Sequence, residues 1–102
     1  MTLEELRILR VVQGILVRNY VNTQKLDVQV IGTSTYIDGE MEIYDYHPGM
    51  RRPDPVERDL EVARTLLHIE KEIRMIGEIS HIEFKLRNWQ RVANRWVRQH
   101  VY

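Results

Sequence analysis

The sequence predicts an α+β fold: a three-stranded sheet with helices packed on one face, in the order helix, strand, strand, helix, strand, helix. Three observations carry that expectation. A capped apolar run opens the chain, three short segments alternate apolar with polar residues, and a second helical run lies between the second and third of them. At 102 residues, 43% hydrophobic and 29% charged, the chain suits one soluble domain with a single modest core.

The first helix is announced by Thr2 and Glu5, a capping box, and runs through LRILRVVQGILVRNYV to about Tyr20. Its apolar residues, Leu6, Ile8, Val11, Val12, Ile15 and Val17 among them, cover more than one face, which predicts burial on two sides. Leu26, Val28 and Val30 alternate with Asp27 and Gln29 as a first strand, and IGTS supplies a turn. TYIDGEMEI then admits two readings, because Asp38-Gly39 is a hairpin signal inside an alternating run. A turn there would pair Ile37 with Glu40 and Tyr36 with Met41, mixing apolar and polar side chains on each face. A continuous strand instead places Thr35, Ile37, Met41 and Ile43 on one side, and Tyr36, Asp38, Glu40, Glu42 and Tyr44 on the other. The continuous strand segregates cleanly and is preferred. It puts Gly39 on the core side, where the missing side chain predicts close approach by a neighbour, taken to be a helix.

YDYHPGMRRPDP, with Pro48, Gly49, Pro53 and Pro55, reads as an exposed connection. Asp54 as N-cap, Pro55 as first helical residue and Glu57 as third start a second helix that runs to about Met75, where Gly77 stops it. Leu60, Ala63, Leu66, Leu67, Ile69, Ile73 and Ile76 are its expected buried residues. Ile82, Phe84 and Leu86 mark a third strand. Asn88 is expected to cap a final amphipathic helix with Trp89, Val92, Ala93, Trp96, Val97 and Val101 on one side and Arg91, Arg95 and Arg98 largely on another. The division expected is a domain over residues 1–87 and a basic helix over 88–102, packed on it or extending from it.

This succession resembles the BON domain, a small αββαβ module of bacterial proteins. The matching pieces are LDVQV, TYIDGEMEI with its central Gly39, LEVARTLLHIEKEI, and MIGEISHIEFKL with Gly77, Ile79 and Ile82 in its return, together covering roughly residues 5 to 87. The resemblance implies a non-enzymatic module that binds membranes or proteins. The long connection before the second helix and the basic Trp-containing extension depart from the family pattern. Many BON-like domains are exported, yet Glu4 and Glu5 stand where a signal peptide would be basic, so a cytoplasmic location is expected.

The candidate chemistry is sparse. There is no cysteine, and His47, His68, His81 and His100 lack metal-ligand spacing. Asp38, Glu40 and Glu42 could face a hard cation, but a straight strand is a poor ligand loop and a solvated sheet face is the better reading. Asp45 and His47 imitate a base and its orienter without any nucleophile tied to them, and read as a turn pair. No glycine-rich phosphate loop appears. No catalytic, cofactor or metal residue and no small-molecule substrate is assigned.

What remains is interaction. Formal net charge is zero, but Lys85, Arg87, Arg91, Arg95 and Arg98 meet no acid after Glu83. Tyr36 and Tyr44 on an open sheet face would suit base stacking, yet the intervening Asp38, Glu40 and Glu42 would repel phosphates. Trp and Arg are enriched at interface hot spots. The expected partner-binding residues are therefore Tyr36, Asp38, Glu40, Glu42, Trp89, Arg91, Arg95, Trp96 and Arg98, in a non-catalytic module that binds itself as a homo-oligomeric scaffold or adaptor, or binds another protein. The alternative expectation is a peripheral binder of anionic membrane or nucleic acid through residues 85–102.

Overall fold

A computed structural model of the chain describes residues 1–44 and 54–99. Asp45, His47, Pro48, Gly49 and Pro53 of the connection, and the end of the chain from His100, lie outside the described residues. Helix α1 spans Leu3–Arg18, followed by a 3-10 turn at Thr23–Lys25, strands β1 (Leu26–Ile31) and β2 (Ser34–Gly39), helix α2 (Pro55–Arg74), and strands β3 (His81–Leu86), β4 (Trp89–Val92) and β5 (Arg95–Arg98). Among the described residues the fold is thus α+β, with two α-helices and a mixed three-stranded sheet ordered β1-β2-β3. β1 and β2 are antiparallel around Gly32-Thr33, with Ile31 opposite Ser34, and β3 returns parallel to β2 through α2. Gly32 takes φ +60°, the left-handed conformation a two-residue hairpin turn needs.

Both helix starts form as their sequences require. The Thr2 hydroxyl accepts the Glu5 backbone N–H and the Glu5 carboxylate accepts the Thr2 N–H, while the Asp54 carboxylate accepts the Glu57 N–H at 2.8 Å. α1 ends through Tyr20, whose φ of 61° lets the Val21 N–H turn back to the Leu16 carbonyl at 3.1 Å.

Glu5 also reaches across to the sheet. Its second oxygen accepts the Gly32 N–H at 2.9 Å, tying the start of α1 to the β1–β2 turn. The Thr2 and Gly32 backbone donors hold its carboxyl at a pKa of about 2, below the ordinary 4.5. A carboxyl with a depressed folded pKa stabilises the fold fully above its unfolded pKa, and that contribution is lost as pH falls from about 4.5 through about 2. The melting-temperature gap between the parent and Glu5→Ala should therefore be widest above pH 5 and shrink steadily toward pH 2. A gap that is the same at both ends of that range would contradict the assignment.

The core lies between the helices and one face of the sheet. Ile8, Val12, Ile15 and Leu16 of α1 meet Leu66, Ile69 and Ile73 of α2 over Val30, Ile37 and Leu86. Each fully buried Leu or Ile contributes roughly 1.5–3 kcal/mol. The other face, with Asp27, Gln29, Ile31, Asp38, His81 and Lys85, is open to solvent. The chain does run on past Asp38-Gly39 without reversing, and Thr35, Ile37, Gly39 and Met41 are buried, but the regular strand ends at Gly39 and not at Ile43, beyond which only an isolated bridge pairs Ile43 with Val21. The neighbour of Gly39 is not a helix, however. It is the backbone of Lys25 and Leu26, because the turn before β1 crosses the end of β2.

The last segment overturns the expected helix. Residues 89–98 form an antiparallel hairpin, Trp89 opposite Arg98 and Arg91 opposite Trp96, turned by Ala93-Asn94 with Ala93 at φ 53°. Spacing by three and four residues suggested a helix, but a hairpin sets Trp89, Arg91, Trp96 and Arg98 on one face, where two Trp side chains are buried at once. Asn88 does not cap a helix either. Its side-chain amide donates to the Met41 carbonyl at 2.9 Å and accepts the Met41 N–H at 3.0 Å, replacing a strand partner where the sheet has ended.

Candidate protein-interaction site

α2 carries two apolar stripes. One, with Leu66, Ile69 and Ile73, enters the core. The other, Val56, Leu60, Ala63 and Leu67, recurs at spacings of four, three and four and so follows one side of the helix. β5 lies alongside it, and the two form an open groove of about 570 Å³ with Trp89, Trp96 and Val97 on the hairpin side. Val56 is 69% exposed and Leu60 55%, so this wall of the groove is apolar surface left facing water. Leu60 was expected in the core and is instead exposed beside the hairpin, while Ala63 and Leu67 of the same stripe are half-buried against the core as expected.

Charged pairs fix the hairpin to α2. Arg98 donates to Asp59 at 2.9 Å. Glu70, 4% exposed, has Arg74 Nη2 at 3.1 Å from one oxygen, and Arg91 Nε at 3.1 Å from the other in an ion pair without hydrogen-bond alignment. A buried carboxylate is costly unless compensated, and these two cations compensate it. Arg91 also lies over the Trp96 ring at 6.0 Å from its centroid, and Trp96 meets Phe84 edge-on at 5.1 Å. Trp96 and Trp89, at 6% and 4% exposure, are buried under the hairpin and also line the groove. Arg95 and Arg64, at the groove's rim, have no ion partner among the described residues.

The residues named from the sequence thus separate into two places. Tyr36 and Asp38 lie on the open sheet face, in a shallow depression with Asp27, Gln29, Glu83 and Lys85, and the Tyr36 ring meets His81 edge-on at 6.2 Å. Glu40 and Glu42 lie just past β2 and face cations of their own chain, Arg87 at 4.0 Å and Lys25. Trp89, Arg91, Arg95, Trp96 and Arg98 belong to the hairpin. A contact between Asp38, Glu40, Glu42 of one copy and Arg91, Arg95, Arg98 of another would first have to break Glu40, Glu42, Arg91 and Arg98 from these internal partners. The residues missed in the sequence are Val56, Asp59, Arg64 and Glu70. The signal was the doubled apolar periodicity of α2, which exceeds what one core-facing stripe uses.

Among the described residues no three His, Cys, Asp or Glu side chains come together to hold a metal ion, and no helix is long and apolar enough to cross a membrane. Comparison with known proteins returns no match: no family model, no curated protein and no solved structure matches the chain.

Proposed function

We propose that this chain is a non-catalytic protein-interaction module, and that its docking site is the groove between α2 and the C-terminal hairpin. The observation that carries the reading is the second apolar stripe of α2, whose Val56 and Leu60 stay exposed beside β5 while Ala63 and Leu67 are half-buried against the core. The BON-like reading of the first part of the chain belongs to the same proposal. Its support is the arrangement of β2 between an antiparallel β1 and a parallel β3 reached through α2. The hairpin after β3 is then an addition that supplies one wall of the site.

Self-association has an observation of its own. The hairpin packs on α2, and Leu3, Val11 and Val17 of α1 stay exposed at 86%, 40% and 61%. A second copy could cover them, as a scaffold requires. Binding of anionic membrane or nucleic acid through residues 85–102 is less favoured, because Arg87, Arg91 and Arg98 each face a carboxylate of this chain.

Photo-crosslinking tests the site. A benzoylphenylalanine at Leu60, at Val17 or at Gln29 reports the groove, the outer side of α1 and the open sheet face in turn. Adducts from position 60 and none from position 29 are expected, and the adduct mass tells a second copy from another protein. Adducts from position 29 alone would contradict the groove. An adduct from position 17 at twice the chain mass would establish self-association through α1.

A further inference from the structure

We infer that the occupant of the groove is an acidic amphipathic helix of another protein; this rests on the docking reading above and names the chemistry of the partner. The apolar wall from Val56 to Leu67 covers eleven residue steps, about 16 Å of α-helix or three turns. A stripe of that spacing is the ridge against which another helix packs, with its own apolar residues at i, i+3 or i+4, and i+7.

Charge selects the flanks. Arg64 stands on the α2 side of the groove and Arg95 on the hairpin side, and neither has an ion partner among the described residues. The acid in the groove, Asp59, is held by Arg98. A helix lying in the groove therefore meets, on each side of its apolar stripe, a cation with no ion partner among the described residues. Carboxylates at its flanking positions would be matched on both sides, and lysines or arginines would be opposed on both.

The same rule decides against a second copy of this chain. The outer side of α1 exposes Leu3, Val11 and Val17; Arg7 and Arg18 there already face Glu4, Glu78 and Glu72, but Arg10 has no ion partner among the described residues and would meet Arg64 and Arg95.

The test titrates synthetic helical 18-residue peptides into the isotope-labelled full chain and follows backbone amide shifts. One set of peptides carries leucine at i, i+4, i+7 and i+11 with glutamate at the flanking positions; a second has lysine there; a third scrambles the glutamate set. The glutamate set should shift amides of residues 56–67 and 95–98, with affinity falling as salt rises. The Arg64→Glu/Arg95→Glu variant, both changes being at exposed positions, should melt like the parent, bind the glutamate set about tenfold more weakly and prefer the lysine set. Equal binding of the two sets, shifts confined to another face, or no shift at millimolar peptide would overturn the inference. So would concentration-dependent shifts of the groove residues without peptide, which would mean that a second copy sits there. Failure of the docking reading is a separate result, since it shows as the absence of any adduct from position 60. An adduct there to a partner segment that is not an acidic helix would overturn the present inference alone.

Discussion

Gly39→Ala is expected to destabilise the fold by about 3 kcal/mol or more, combining backbone strain with overpacking. Gly39 has φ +130°, a conformation that side chains with a Cβ rarely adopt, and an added Cβ would stand 2.2 Å from the Lys25 carbonyl oxygen and 3.2 Å from the Leu26 Cα. The obstacle is backbone, so no rotamer change relieves it. The same carbonyl accepts the Glu40 N–H at 3.1 Å, and any shift that makes room also weakens that bond. For a domain of this size, such a loss lowers the melting temperature by more than about 10 °C. Gly39→Leu should be at least as damaging. Parent-like melting of the alanine variant would show that the turn before β1 does not cross β2 here.

Trp96→Ala should cost about 3–5 kcal/mol, the range for removing a large buried aromatic. The ring is 6% exposed, holds Phe84 edge-on and lies under Arg91, which in turn compensates the buried Glu70. Its loss therefore opens a cavity and loosens the hairpin from α2. Arg95→Ala, on the outer side of the same strand, should change stability by no more than about 0.5 kcal/mol. Denaturant titration of the two variants checks the contrast. Equal, small effects would mean that the hairpin does not pack on α2 as described. The sequence had marked Trp96 as a partner-binding residue; at 6% exposure it is also part of the core.

Much of the fold was legible because it rests on local signals. Thr2 with Glu5, and Asp54 with Pro55 and Glu57, announced helices at the positions where they form, and Gly32 marked the turn between β1 and β2. The alternation from Thr35 to Ile43 placed Gly39 on the buried side correctly. What lay against Gly39 was not legible, because the approach of Lys25 and Leu26 depends on where the chain enters the sheet. The last segment was misread for a related reason. Trp89, Val92, Ala93, Trp96 and Val97 fit a helix, and Ala93-Asn94 lacks the glycine that usually marks a two-residue turn. Tertiary demands decided it: two large rings needed burial, and Arg91 and Arg98 needed Glu70 and Asp59. The candidate site suffered accordingly. Its hairpin residues were named, but Leu60 was assigned inward, and only the position of β5 shows it in one wall of a groove.

Leu60→Glu separates docking from folding and tests the groove most directly. Leu60 is 55% exposed, so the variant should melt within a few degrees of the parent, as surface changes do. With a photo-crosslinker placed at Val97 on the opposite wall, the parent should give adducts and the Leu60→Glu chain should give none. Undiminished adducts from a normally folded Leu60→Glu chain would contradict the groove as the docking site.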